Sequence, residues 1–343
     1  MNGGAFGPRR FAFGCGSGRG GPSQEPSSVA NGMSDVDPVP RVAIVIPCRD
    51  EAVTIRQVVE GFQRSMPGAA IIVCDNASTD QTASIARAAG ARIIEEPRPG
   101  KGRALRRLLA DVDADCYVMV DGDATYDPTT APAMVAEVLE NGVDMVVARR
   151  VSDGSAFPGG HTLGNQMLTF VFQRLFRLRL TDTLSGYRAL SRRFVKTFPV
   201  LTQGFEVETD LNAHAASLDL RHVEIDSTYT SRPTGSHSKL GTWRDGFRIL
   251  RRMFRLFRDW RPLLTFALVG LAFVAVATTF AVPIVVDFIE TGLVERQPTL
   301  IAVAVAYLLG FGMISIGMVL ERIAQMRREV TRLLYLSLPA QRT

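Results

Sequence analysis

The stretch Asp121-Gly122-Asp123-Ala124-Thr125-Tyr126-Asp127 decides how this chain is read. It follows the apolar run Tyr117-Val118-Met119-Val120, which has the pattern of a buried strand. Pro128, directly after it, suits the first turn of a helix. Two carboxylates one residue apart, at the end of a strand, suit a hard divalent cation that shares its oxygen ligands with substrate phosphates. Asp and Gly are also ordinary turn formers, so the heptad alone leaves a metal site and a plain polar turn both open.

Outward from this turn, strands and helices alternate. Val42 to Ile46 is an apolar strand, followed by Pro47-Cys48-Arg49-Asp50-Glu51 and an amphipathic helix to about Gln63. Ala70 to Cys74 is a second strand, followed by Asp75-Asn76-Ala77-Ser78-Thr79-Asp80 and a helix ending at Gly90. Ala91 to Ile94 is a third, and after the loop Gly100-Lys101-Gly102 a helix runs from about Gly102 to Ala110. After the strand into Asp121 come a helix ending at Asn141-Gly142 and a strand from Met145 to Ala148. This alternation predicts an α/β fold, a mostly parallel sheet with helices on both faces and right-handed crossovers. Ligands of such sheets bind beyond the carboxyl ends of the strands, where each of these polar clusters falls. Residues 162–178 read as a further helix whose Phe170, Phe172, Leu175 and Phe176 pack into the core. A strand from His222 to Ile225 and a polar loop over 231–241 complete a domain of residues 41–241.

A chain of 343 residues, 46% hydrophobic and 21% charged, has the composition of a folded protein of one large or two small domains. Cys15, Cys48, Cys74 and Cys116 lack metal-binding spacing and are expected to be reduced, in a cytosolic compartment, without disulfides. The four His are too scattered for a zinc site. The basic excess is almost all arginine; of the three lysines, Lys101 and Lys239 lie in Gly-containing loops, where a compact ammonium suits a phosphate. No nucleic-acid partner is expected. Residues 1–40, rich in Gly, Pro and Ser and without a signal-like apolar core, are expected to be a disordered tail, with Met33 an alternative start.

The pattern changes at Thr242. Residues 242–262 form a juxtamembrane amphipathic helix, with seven Arg and two Asp over 242–261 among Phe247, Ile249, Met253, Phe254 and Phe257. Residues 263–286 are apolar and, at about 1.5 Å per residue, span some ~36 Å as a helix, enough to cross a bilayer. Residues 299–320 read as a second span and 321–343 as a cytoplasmic tail. Trp243 and Trp260 flank the basic helix as interface anchors do. The arginine-rich flanks of the two spans place the 41–241 domain on the cytoplasmic face of the cell (inner) membrane.

Taken together, Ile46-Pro47-Cys48-Arg49-Asp50-Glu51, the 75–80 motif, Gly100-Lys101-Gly102 and Asp121-Gly122-Asp123 resemble the inverting family 2 glycosyltransferases of GT-A (Rossmann-like) fold. Asp182-Thr183-Leu184-Ser185-Gly186-Tyr187-Arg188, Glu206-Val207-Glu208 and the Arg232 to Lys239 loop are similar to the polyprenyl-phosphate branch of that family, the dolichol-phosphate mannose synthases and bacterial undecaprenyl-phosphate glycosyltransferases. The resemblance covers about residues 41–330. It implies a nucleoside diphosphate sugar as donor, a polyprenyl phosphate as acceptor, a membrane lipid environment, and Mg²⁺ or Mn²⁺ on Asp121 and Asp123. Pro47, Arg49, Glu51, Asp75, Lys101 and Asp121 would bind the nucleotide sugar, with Arg232 and Lys239 on a loop that closes over its diphosphate. Arg149 or Arg150, with Ser185 and Arg188, would meet the acceptor phosphate. Asp123, Asp182 and Arg188 would carry catalysis, Asp182 orienting rather than taking a proton. Arg49 stands where many relatives have an aromatic, and its planar guanidinium can stack on a base in that role. A transferase acting on another glycan or small acceptor, a processive polysaccharide synthase and a silent membrane scaffold are the alternatives. The processive type is disfavoured by the lack of a Gln-x-x-Arg-Trp motif, and a homo-oligomer is left open.

Overall fold

Helices cover both faces of the central sheet, which is why the strand segments 42–48, 71–74 and 116–119 are apolar at nearly every position rather than at alternate ones. The computed structural model describes residues 41–151, 169–176, 178, 180–200, 202, 206–233 and 242–339. The tail 1–40, the start of the helix read over 162–178, and Lys239 lie outside the described residues. Strands β1 (Val42–Cys48), β2 (Ala70–Asp75), β3 (Arg92–Glu95), β4 (Cys116–Met119), β5 (Met145–Val151), β6 (Arg188–Ser191) and β7 (His222–Thr228) form one sheet in the order β3-β2-β1-β4-β6-β5-β7. Ala43, Val45, Tyr117 and Met119 point to one face, into a core shared with helices α3 (Lys101–Asp111), α5 (Arg192–Thr197) and α6 (Val207–Leu218). Ile44, Ile46 and Val118 point to the other, against α1 (Ile55–Ser65), α2 (Thr82–Ala88) and α4 (Ala131–Leu139). The apolar positions of α1, Ile55, Val58, Val59 and Phe62, recur at helical spacing and are all buried. Cys48, Cys74 and Cys116 are buried free thiols.

The chain runs outward from β1 to β3, then crosses back to β4 on the other side of β1. That reversal opens a crevice at the carboxyl ends of β1 and β4, the usual ligand position in open α/β sheets. The sheet is parallel except for β6, which runs antiparallel between β4 and β5. This strand was read from the sequence only as part of a polar motif. Its direction has a consequence: Arg188 at its start pairs with Met119 at the end of β4, so the residues before it, 182–187, arrive at the same sheet edge as Asp121.

Helices α7 (Thr242–Trp260), α8 (Pro262–Thr291) and α9 (Gln297–Ser337) follow. The last two are long and apolar enough to cross a membrane, and only 17% of the most apolar window of each is buried, unlike a core helix. They pack through residues seven apart, Gly270, Ala277 and Ile284 on one and Val303, Gly310, Gly317 and Ala324 on the other. Small residues at this spacing let the two backbones approach closely. Two sequence expectations change here. The α7 helix does not offer its whole apolar face to an interface: Ile249 and Met253 are buried in the core of the α/β domain, and Arg252 pairs with the buried Asp210 at 2.8 and 2.9 Å. Phe247 and Phe254 are the large apolar side chains it leaves exposed among its described residues. Residues 321–337, expected as a tail, continue α9 and dock on the domain. There Tyr335 Oη lies 3.0 Å from both carboxylate oxygens of buried Asp144, and Arg193 donates to the Leu338 and Pro339 carbonyls.

Candidate functional site

The crevice between β1 and β4 is a cleft of about 490 Å³. Pro47 near the end of β1, with Arg49 and Glu51 on the turn after it, forms one wall. That turn is tied to the 75–80 segment: Asp50 Oδ1 accepts from Thr79 N at 2.6 Å and Thr79 Oγ1 at 3.1 Å, and the Asp80 carboxylate accepts from Ala52 N at 3.1 Å. Asp50 has φ 49°, a left-handed conformation that Asp tolerates better than most residues. Asp75 closes β2 beside Cys48, and its Oδ1 is buried without a hydrogen-bond partner among the described residues.

Lys101 begins α3, and Gly100 before it has φ 142°, where a Cβ would be strained. Asn76 holds this loop in place. Its Nδ2 donates to the carbonyls of Glu96 at 3.1 Å and Arg98 at 2.8 Å, and its Oδ1 accepts from Gly100 N at 2.6 Å. From there Lys101 Nζ reaches both Asp121 and Glu208 at 2.6 Å. Burial opposes its charge, but the two carboxylates override this and hold its pKa well above the ordinary lysine value. Gly186 packs against this pair; a Cβ there would collide with the Asp121 carboxylate and lie 3.2 Å from Lys101 Nζ.

Removing the Asn76 clip should loosen this arrangement. Asn76→Ala leaves the Gly100 amide and two carbonyls without their partner, at a cost of about 3 kcal/mol. The expected result is a lower Tm and a raised KM for the donor; an unchanged donor KM would show that the clip does not set the position of Lys101.

Asp123 is buried at 4% exposure. Its Oδ1 accepts from Thr125 Oγ1 at 2.6 Å and Thr125 N at 3.2 Å, and its Oδ2 from Arg232 at 2.5 Å. Burial and the neighbouring Asp121 raise its pKa, against the pull of Arg232 and Thr125. Among the described residues no three His, Cys, Asp or Glu converge as a self-sufficient metal site. Two cleft carboxylates, each held by a cation at 2.5–2.6 Å, fit instead a Mg²⁺-type ion that takes its remaining ligands from substrate phosphates and water.

Across the cleft, Arg150 at the end of β5 makes a two-pronged pair with Asp182, both contacts at 2.7 Å, and lies 5.4 Å from the centre of the Tyr229 ring. Burial opposes the charge on Asp182, but the Arg150 guanidinium overrides it and holds the carboxyl below its ordinary range. One sequence expectation, Arg149 or Arg150, is narrowed here and two others are corrected. Arg149 pairs with Asp226 on β7, and it is Arg150 that lines the cleft. Ser185 is fully buried, with its Oγ donating to the Ala148 carbonyl. Arg188 is fully buried as well, donating to the Ser185 carbonyl at 3.0 Å, the Thr183 carbonyl at 3.1 Å and Asn212 Oδ1 at 2.5 Å. Burial lowers its pKa to about 10, which leaves it charged at neutral pH. Arg188 therefore clamps the loop that carries Asp182 and Leu184 and does not reach the cleft.

Several cleft residues had no sequence signal strong enough to assign them. Tyr126 and Tyr229 pair across an antiparallel bridge, their rings 5.2 Å apart, and Tyr126 Oη accepts from Gly186 N at 2.8 Å. Tyr126 belonged to the opening heptad, but nothing in one sequence shows that Tyr229, 103 positions later, meets it. Glu208, readable as an acidic residue favoured at a helix start, is instead the second partner of Lys101. Leu184 and Ile249 form an apolar flank.

Comparison with known proteins agrees with this geometry. The sequence matches the description Glycosyl transferase family 2 over residues 43–198. It is 30% identical over 293 residues to glycosyltransferase AglJ of Haloferax volcanii, covering 84% of this chain and 95% of that protein. It is 30% identical over 192 residues to a dolichyl-phosphate hexose transferase of the same organism, covering 56% and 83%. Among solved structures it resembles glucosyl-3-phosphoglycerate synthase of Mycobacterium tuberculosis in complex with Mn²⁺ and UDP-glucose, with TM-score 0.52 and 24% identity over 63% of this chain and 79% of that one. The class that the fold and cleft define is that of the glycosyltransferases. Within it, the chain belongs to glycosyl transferase family 2.

Proposed function

We propose that this protein transfers a sugar from a nucleoside diphosphate sugar to a polyprenyl phosphate, with inversion, giving a β-linked lipid monophosphate sugar for cell-envelope glycan synthesis. One observation carries the reading: a single cleft joins an acidic pair, Asp121 and Asp123, to the cations Lys101, Arg150 and Arg232, and its apolar flank includes Ile249 of α7, the helix that leads directly into the apolar α8. The dolichyl-phosphate hexose transferase among its relatives supports the same acceptor class.

In this reading Pro47, Arg49 and Glu51 line the nucleotide pocket, and Asp75, at the end of β2 just behind that lining, reads the base edge once its carboxylate turns toward the cleft. Asp121 and Asp123 would hold Mg²⁺ or Mn²⁺, which when bound would supply counter-charge to the diphosphate. Lys101 and Arg232 stand beside the same carboxylates and neutralise the leaving group further. An acceptor phosphate with a second pKa near ~6 is largely dianionic at neutral pH and needs no general base. Its oxygen attacks the anomeric carbon as the bond to the donor diphosphate breaks and the nucleoside diphosphate leaves with the electron pair. Arg150 is the cation placed to orient that oxygen, and Asp182 orients Arg150. The deciding experiment incubates the purified chain with a panel of nucleotide sugars and undecaprenyl phosphate and reads lipid-linked sugar by mass. Transfer only to a water-soluble acceptor would refute the reading.

The orientation is also part of the proposal. The connection 287–298 carries three acidic residues and one Arg, whereas 242–261 carries seven Arg, so the α/β domain faces the cytoplasm. A cysteine introduced at Thr291 should label from outside intact cells, and one at Ser231 should not. The reverse pattern would overturn the topology.

A further inference from the structure

Where α7 turns into α8, away from the cleft, a second groove of about 540 Å³ opens between Trp260, Arg261, Leu264, Ala267, Glu321 and Arg328. Its charged groups are not equivalent. Arg328 is paired, donating to the Trp260 carbonyl at 2.8 Å and to Glu321 at 3.1 Å. Glu321 also accepts from Leu263 N, at the start of α8, at 3.4 Å. The Arg261 guanidinium lies 5.1 Å from the centre of the Trp260 ring and has no hydrogen bond or ion pair among the described residues. Directly beyond it the wall turns apolar at Leu263, Leu264 and Ala267, the first turns of the helix long enough to cross a membrane.

An unpaired cation followed at once by an apolar helix face matches a lipid phosphate with its chain running alongside. Two guanidinium groups against one carboxylate leave the groove a single net positive charge. That suits a monoanionic phosphodiester; a dianionic phosphate monoester would face Glu321 with only one unspent cation. We infer that the elbow between α7 and α8 binds the phosphodiester headgroup of an anionic bilayer phospholipid, with Arg261 as its cation and α8 as the wall for its acyl chain. This rests on the membrane reading of α8, but on neither the donor nor the acceptor of the transfer reaction. The bound lipid has a route to the domain: Trp260 stacks on Phe176 at 5.3 Å, and Phe176 on Phe172 at 4.4 Å, inside the core.

The test uses the full chain, stripped of lipid in a neutral detergent, with short-chain phosphatidylglycerol added and binding read by native mass spectrometry, so that no transferase activity is needed. Phosphatidylglycerol should bind wild type at least tenfold more tightly than Arg261→Gln. It should also bind more tightly than phosphatidylcholine, and an equal concentration of undecaprenyl phosphate should not displace it. Ala267→Phe narrows the groove from α8 while keeping Arg261 and should lose the lipid to a similar degree, which decides the matter should Arg261→Gln misfold. Wild-type affinity in either folded variant would overturn the site, and displacement by undecaprenyl phosphate would overturn the assignment to a bilayer lipid.

Discussion

Asp123→Asn is expected to abolish sugar transfer, with a fall in kcat on the order of 10³-fold. Asparagine keeps the oxygen that accepts from Thr125, so the turn at Ala124, with φ 56°, is preserved. It removes the negative charge that faces Arg232 and, with Asp121, forms the acidic pair of the cleft. In the proposed reaction a bound metal would lose one of its two carboxylate ligands, and the charge developing on the leaving diphosphate would lose much of its counter-charge. Asp123→Ala should be equally inactive but less stable, because it also leaves the Thr125 amide and hydroxyl without their acceptor. The check is initial rate at saturating donor, with circular dichroism to show retained fold. Near-normal turnover of Asp123→Asn under strict chelation would sink the metal assignment.

Arg150→Ala is expected to have the second-largest effect, raising KM for the lipid phosphate and lowering kcat together, with kcat/KM down about 10²–10³-fold. The substitution also strands Asp182, a carboxylate whose side chain is only 7% exposed. Leaving one partner of a buried pair uncompensated costs about 3–5 kcal/mol, so a drop in Tm should accompany the kinetic loss. Asp182→Asn separates the two effects, since the amide oxygen can still accept from Arg150. It should keep measurable activity, and its pH profile should still follow the acceptor's own ionisation near ~6. A folded Asp182→Asn that binds both substrates and does not turn over would make Asp182 a base or an equivalent electrostatic element. The pair also predicts a pH effect on stability. Because the Asp182 carboxyl is held below its ordinary value in the folded state, its contribution is complete above the unfolded pKa of about 4. That contribution is lost as the pH falls from there through the folded value.

Arg188 shows how a motif can be legible while its role is not. In sequence it sits six residues after Asp182, with the charge expected of a phosphate contact. Its contacts to the Ser185 and Thr183 carbonyls make it the brace of the 183–185 loop instead, while Asn212 and Met145 hold it from the core side. A charged residue in a polar motif carries no mark of which way its side chain will point. That depended on β6 running antiparallel, which turns Arg188 inward beside Met145 and Asn212 and brings the loop before it to the cleft. The same limit applies to α7. Its periodicity identified an amphipathic helix, but not that Ile249 and Met253 would find the domain core before any membrane.

Local regularities were sufficient for the rest. The alternation of apolar runs and polar turns determined the α/β architecture, because a strand covered on both faces must be apolar throughout and a covering helix must repeat its apolar residues every three to four positions. Length and composition determined the two apolar helices, and the order of strands and turns placed Asp121, Asp123, Lys101 and Glu51 at one edge. Contacts distant in sequence were decided only by the tertiary structure: Lys101 with Glu208, Arg150 with Asp182, Tyr126 with Tyr229, and Tyr335 with Asp144. Each joins segments between 32 and 191 residues apart. A single chain's local pattern records what each segment buries but not which distant partner completes it, and the cleft is made of such partners.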